Sequence, residues 1–223
     1  MDITFLQDHI PLYAQAAVLT IRMAALGIVG ATLLGLFCSM IRELKIPVLK
    51  QLVEVYIELS RNTPLIIQLF FLYFGLPKVG IVLTSETCAV VGLIFLGGSY
   101  MAEAFRSGID NVDPMQTEVG MSLGMKKHQI FGYIVLPQAI ATSVPAFCAN
   151  VIFLIKETSV FSAVALADLM YVTKDLIGVY YKTDEALLLL VVFYLILLLP
   201  ISIICSIIER RMRYAGFGNT GTV

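Results

Sequence analysis

Ala186–Ile208 reads ALLLLVVFYLILLLPISIICSII, a stretch with no Asp, Glu, Lys, Arg or His in it. A bilayer core asks for about 20 consecutive apolar residues in a crossing helix, and this run supplies them without help from its neighbours. Four further apolar runs precede it, at about 12–41, 62–77, 86–105 and 138–167, and the last run as a whole covers about 185–208. The breaks between them hold most of the charge and the turn residues. The chain of 223 residues is 59% hydrophobic and 14% charged, with a mean hydropathy of +0.90. That is more apolar surface than a soluble core of this size can hide. The reading is an all-α polytopic membrane protein with five transmembrane helices in one domain, 1–213, followed by a flexible cytoplasmic tail, 214–223. No room remains for a sizeable soluble domain.

An odd number of crossings puts the termini on opposite sides, and the basic residues choose the side. With the N-terminus outside, the inner segments carry Arg42, Lys45, Lys50, Arg106, Lys126, Lys127, Arg210, Arg211 and Arg213, and the outer loops only Lys78, Lys174 and Lys182. The positive-inside bias therefore places the C-terminus in the cytoplasm. Residues before Leu12 include Asp2, Asp8 and His9 and lack a basic leader, so the first helix is expected to be retained. A net charge of −1 and a pI near 6.1, without a basic block, set nucleic acid aside as a partner. Cys38, Cys88, Cys148 and Cys205 stand alone in apolar surroundings, which suits buried thiols rather than a metal or redox site. Only His9 and His128 are present, again arguing against a metal centre.

Within the first run, Gly27, Gly30, Ala31 and Gly35 recur at helical spacing and offer another helix a close approach. Arg22, near the outer end, is expected to snorkel to the interface. The segment Ile46–Arg61 mixes apolar residues with Lys50, Glu54 and Glu58 and reads as an interfacial amphipathic helix ahead of the second span. The break between the third and fourth spans is the longest. Asp113-Pro114 begins a helix there, Asp as cap and Pro in the first turn, and Gly124 ends it, giving a short cytoplasmic helix over about 113–124. A second short helix is expected after Lys126, stopping before Pro137.

In that break, Glu118-Val119-Gly120, three residues, Gly124, nine residues and then Ile134-Val135-Leu136-Pro137 resembles the E-A-A, three, G, nine, I-x-L-P signature of ABC importer permeases. Val119-Gly120 replaces the usual Ala-Ala. Three more stretches resemble the polar amino-acid branch of that family: Glu58–Pro77 around Arg61-Asn62-Thr63-Pro64, Ser99–Ile109, and Asn150–Ser159 around Lys156-Glu157-Thr158-Ser159. The resemblance runs from about 12 to 213. It implies the type I importer permease fold, in which the short cytoplasmic helix is the coupling helix that docks on an ATPase, here through Glu118, Val119, Gly120, Leu123 and Gly124. It further implies an ABC ATPase homodimer that binds ATP and Mg, a second permease, an extracellular binding protein, an amino-acid substrate and a lipid bilayer as partners, in a bacterial cell membrane. No G-x-x-x-x-G-K-[ST] phosphate loop occurs, so the chain itself is no ATPase and needs no cofactor.

Several polar residues inside the runs are candidates for the substrate path. Lys156 and Glu157 are adjacent on a helix, so they face different ways, and each needs its own partner in a second subunit or a place on the route. Asn150, Thr158 and Ser159 offer neutral hydrogen bonds, although Thr and Ser also bond back to their own helix. Gln68 and Tyr73 in the second run are further candidates. Val151 stands where some carriers of basic substrates have a carboxylate. Glu103 and Arg106, three apart, read as a structural ion pair. The competing reading is a self-contained ion-coupled secondary carrier or channel, which predicts inverted halves.

Overall fold

The computed structural model describes residues 2–43 and 47–212. Lys45, Arg213 and the tail 214–223 lie outside the described residues. Nine α-helices follow in order among them: α1 Ile3–Glu43, α2 Pro47–Arg61, α3 Leu65–Phe70, α4 Ser85–Asp110, α5 Pro114–Ser122, α6 Lys127–Ile130, α7 Leu136–Glu157, α8 Leu169–Tyr180 and α9 Thr183–Met212. Four stretches are long and apolar enough to cross a membrane: α1, α4, α9 and the path Lys127–Val164 that contains α7. A fifth long apolar helix is absent among the described residues, where Leu65–Val79 is a shorter apolar helical run.

The α1–α4 contact is the spine of the bundle, and small residues make it. A methyl group at Gly27 would fall 2.4 Å from Leu93 Cδ2, and one at Gly35 only 2.5 Å from Met101 Cβ and 2.8 Å from the Ala102 nitrogen. The backbones approach to a distance that any side chain would prevent, as the glycine spacing implied. Around this seam Met23, Ala31, Leu65, Leu69, Leu93, Leu154 and Phe161 form the central core.

The amphipathic segment before the second run is a helix, α2, packed against α1 and α4. Val53 and Ile57 of α2 are buried with Cys38 and Ile41 of α1 and Ala102 of α4. Further along, Tyr56 Oη donates to the Phe95 carbonyl at 2.7 Å and Ser60 Oγ to the same oxygen at 2.9 Å. Leu65 and Leu69 of α3 then close on Gly92. Helices α2 and α3 thus climb α4 end to end as one broken passage, interrupted at Arg61–Pro64. The amphipathic pattern was real: Val53 and Ile57 pack on other helices, Val48, Leu49, Leu52, Val55 and Leu59 stay exposed, and Lys50 and Glu54 pair with each other at 3.6 Å.

Pro137 does not stop a helix either. The path runs from α6 through a π turn, Phe131–Val135, directly into α7, with the Leu136 N–H reaching the Phe131 carbonyl. A second π turn, Phe71–Gly75, sends the Leu76 N–H to the Phe71 carbonyl just before Pro77. Both segments read Phe-x-Tyr-x-x-Leu-Pro. Proline has no N–H to give an α-helical acceptor, and the widened turn takes up the mismatch. At the other end, α7 stops at Glu157 and a 3-10 segment covers Thr158–Val164, so the expected span 138–167 is an α-helix for only part of its length.

The N-terminal part of α1, helix α8 and the start of α9 are clasped together. The Tyr13 hydroxyl donates to the Ala186 carbonyl at 2.8 Å and lies 3.0 Å from Thr173 Oγ1. The Asp2 amide donates to Glu185, and Lys182 reaches Asp2 Oδ2 at 3.3 Å. Arg22 meets Glu86 at 3.6 Å with both side chains exposed, a surface ion pair at the end where snorkelling was expected. All four cysteines are buried and free.

Candidate docking and translocation sites

Helix α5 is set by local signals and one close contact. Asp113 caps it, its Oδ1 accepting from the Met115 N–H at 2.9 Å, and Pro114 fills the first turn. Gly124 turns the chain with φ +76, a conformation that glycine adopts without strain. One side of α5 is anchored: Gly120 is buried, and a methyl there would stand 2.9 Å from Ile130 Cγ1 and 3.3 Å from Ile134 Cδ1. The other side presents Met115, Val119, Met121 and Leu123, with Val119 52% and Leu123 75% exposed. Glu118 is exposed beside them. The helix therefore ties into the foot of the α6–α7 path while leaving apolar side chains exposed around it.

The ion pair expected between Glu103 and Arg106 is present at 3.3 Å, and it is half of a larger arrangement. Arg42 at the end of α1 also binds Glu103, 2.5 Å away and less exposed than Arg106. Glu103 thereby fixes α1 to α4 at the end of the bundle near α5. Sequence spacing revealed only the local partner, since Arg42 is sixty-one positions away.

Among the proposed path residues the structure separates anchors from free groups. Gln68 Nε2 donates to the Ser60 carbonyl at 3.1 Å and the Thr63 carbonyl at 3.0 Å, bridging the break between α2 and α3, while its buried Oε1 has no partner among the described residues. Tyr73 packs against the central core. Asn150 Nδ2 donates to the Tyr100 carbonyl at 3.0 Å and joins α7 to α4. Thr158 is fully buried and bonds back to the Ile155 carbonyl at 2.7 Å, the local reading of that residue, and Ser159 sits in the 3-10 segment. Lys156 is exposed and Glu157 half-buried, and neither forms an ion pair or hydrogen bond with a described residue. Gln68, Asn150 and Thr158 are thus joined into the fold, whereas Lys156 and Glu157 are left available.

Two residues escaped sequence reasoning. Arg61, at the break, holds its guanidinium 5.2 Å over the Tyr100 ring, whose other neighbour is Phe153 at 5.0 Å. Its position in Arg61-Asn62-Thr63-Pro64 was the available signal. Asp168 is completely buried, caps α8 by accepting from the Tyr171 N–H at 2.8 Å, and leaves Oδ2 without a partner among the described residues. Nothing in its local sequence announces that burial.

Long apolar helices in glycine contact, a polar break along one passage and a short helix with exposed apolar side chains at one end define a polytopic α-helical membrane protein. The chain matches the model of the family described as binding-protein-dependent transport system inner membrane component over residues 31–214, and it belongs to that family. It is 34% identical over 215 residues to a probable amino-acid permease protein, YxeN, of Bacillus subtilis (strain 168), covering 95% of this chain and 96% of that one. It is 31% identical over 206 residues to the glutamine transport system permease protein GlnP of Escherichia coli (strain K12), covering 92% and 94%. Among solved structures, an amino acid ABC transporter with histidines superposes with a TM-score of 0.90 at 31% identity, covering 95% of this chain and 99% of that one. The MetNI methionine ABC transporter in an inward-facing conformation shares the fold, with a TM-score of 0.70 at 20% identity.

Proposed function

We propose that this chain forms, with a second permease subunit, the membrane pathway of an ATP-driven importer for a polar amino acid. The names of the relatives support the substrate class. An extracellular binding protein delivers the amino acid, and a separate ATPase homodimer binds ATP and Mg and hydrolyses the nucleotide. The second permease is another copy or a homologue. The chain sits in a bacterial cell membrane with its N-terminus outside and the α5 end in the cytoplasm, as the distribution of Lys and Arg supports.

The observation that carries this reading is α5, which turns Val119, Met121 and Leu123 outward while Gly120 is locked against Ile130. Exposed apolar side chains on a short helix suit a groove on another protein. Movement of that partner reaches α7 through the Gly120–Ile130 contact, and α7 carries Asn150, Lys156 and Glu157. Lys156 and Glu157, whose side chains have no ion pair or hydrogen bond with a described residue, face the second subunit or the path, where ionisable groups within a membrane find their use. The pathway then opens alternately to either side as the bundle rocks.

The test is Val119→Glu in the reconstituted complex. Burying an unpaired carboxylate in the docked interface costs on the order of 3 kcal/mol, so uptake and transport-coupled ATP hydrolysis fall by about a hundredfold while insertion is unchanged. Normal uptake by this variant removes α5 from the mechanism.

A further inference from the structure

Two adjoining cavities at the α5 end of the bundle form one amphipathic site. The first is a slot of about 350 Å³ walled by Leu36 and Met40 of α1, Phe105 of α4, Phe131 of the π turn and Ile140 of α7. Its walls are hydrocarbon and it lies on membrane-spanning helices. At its end it shares Ser39, Glu43 and Ile109 with a second cavity of about 200 Å³, whose remaining lining is Arg42, Lys50, Glu54, Arg106 and Asp110. An apolar slot thus opens into a charged pocket at the level where α1 and α4 end.

The charges select the occupant. Arg42, Lys50 and Arg106 are balanced by Glu43, Glu54 and Asp110, so a purely anionic group meets as much repulsion as attraction. Lys50 with Glu54 and Arg106 with Asp110 are loose pairs of 3.6 and 3.8 Å between exposed side chains, which open at little cost to accept a phosphate. Glu43 lines both cavities and has no ion partner among the described residues. A carboxylate in that place suits a primary ammonium, which donates hydrogen bonds to it; a quaternary ammonium has no N–H to give.

We propose that the slot and pocket together seat one phosphatidylethanolamine molecule from the leaflet on the α5 side. An acyl chain fills the slot, the phosphate lies between Lys50 and Arg106, and the ammonium meets Glu43. The lipid is then a wedge between α1 and the foot of α7, beside the docking helix.

The chain contains no tryptophan, so an introduced one reports from a single place. Met40→Trp puts the reporter at the slot, and Val29→Trp, exposed on the same helix, serves as the remote control. The full-length protein is placed in phosphatidylcholine and phosphatidylglycerol vesicles, with phosphatidylethanolamine or phosphatidylcholine of dibrominated acyl chains added at equal mole fraction. At Met40→Trp the brominated phosphatidylethanolamine quenches fluorescence several-fold more than its choline counterpart, and at Val29→Trp the two quench alike. Glu43→Gln added to Met40→Trp abolishes the preference and leaves quenching by the choline lipid unchanged. Equal quenching by both heads at Met40→Trp, a preference that survives Glu43→Gln, or strongest quenching by brominated phosphatidylglycerol overturns the proposal. Leu36→Trp, on the same wall of the slot, gives the same readout where Met40→Trp does not insert.

Discussion

Replacing Gly108 by alanine is the sharpest probe of how α4 meets α7. The new methyl carbon would stand 2.4 Å from the Ala139 carbonyl oxygen, 2.7 Å from Ser143 Cβ and 3.2 Å from the Ser143 nitrogen. Two of these neighbours are backbone atoms, so no side-chain rotation relieves the clash and the helices must separate by about 1 Å at this point, against the close packing of protein interiors. Overpacking of this kind costs about 1–3 kcal/mol. Separation also weakens the bond from Thr142 Oγ1 to the Gly108 carbonyl, now 2.8 Å, a further loss of about 1 kcal/mol. The better helix propensity of alanine returns about 1 kcal/mol, leaving a net loss of about 1–3 kcal/mol and a fall in Tm of about 2–12 °C for a chain of this size. The four buried cysteines supply the assay, since a thiol-reactive fluorophore labels them only as the protein unfolds. Gly132→Ala is the counterpart: no atom lies within 4 Å of its added methyl, so the same substitution is neutral or raises Tm by a few degrees. If Gly108→Ala melts with the parent, or both variants fall equally, the close contact of α4 and α7 is not what the substitution reads.

Glu103→Gln removes the common partner of Arg42 and Arg106 and costs about 2–4 kcal/mol, Arg42→Gln costs nearly as much, and Arg106→Gln, at an exposed pair, costs under about 1 kcal/mol. Equal losses for the two arginines in the thiol-labelling melt would refute this ranking. Tyr13→Phe gives up the bond to Ala186 and leaves Thr173 short of a neighbour, lowering stability by about 1–2 kcal/mol; an unchanged melting curve would show that the clasp of α1, α8 and α9 is idle. The Phe5 N–H and the nearby Lys182 ammonium hold the Asp2 carboxyl below its ordinary value of 3.8. A depressed carboxylate stabilises the fold above its unfolded pKa and ceases to as pH falls through its folded pKa, so the N-terminal turn loosens only below about pH 4. Amide exchange at Phe5, corrected for its intrinsic pH dependence, rises there, and Asp2→Asn produces the same loosening at neutral pH; exchange that is flat down to pH 3 contradicts the assignment.

Helix α5 was legible because its signals are local: Asp113 and Pro114 start it, Gly124 ends it, and no distant contact is needed to place any of them. The glycines of α1 were legible for the same reason, as their spacing alone defines a smooth stripe. The course of α2 was not. Lys50, Glu54 and Glu58 mark the polar face of α2, but its apolar arc is wide, and only the tertiary contacts show that Val53 and Ile57 pack on α1 and α4 while Val48, Leu52, Val55 and Leu59 stay exposed. Pro137 misled in a different way, because a proline ends a helix unless a wider turn precedes it, and nothing in Phe131–Val135 taken singly marks that turn. For the candidate site, residue identity indicated polarity but not partner: Asn150 and Thr158 are consumed by carbonyls of the fold, and Arg42, the stronger partner of Glu103, lies on another helix.

The π turn at Phe131–Val135 has a mechanical consequence. From Leu136 to Glu157 the helix above it runs for about 33 Å at 1.5 Å per residue, with Pro145 inside it. The turn beneath is a compliant joint, gripped on one side by α5 through Ile130 and Ile134. A tilt of about 10° at the joint carries the far end, with Lys156 and Glu157, sideways by about 6 Å on that length. The arm ratio of this lever lets a motion of about an ångström at the foot become a displacement as large as an amino-acid side chain at the tip.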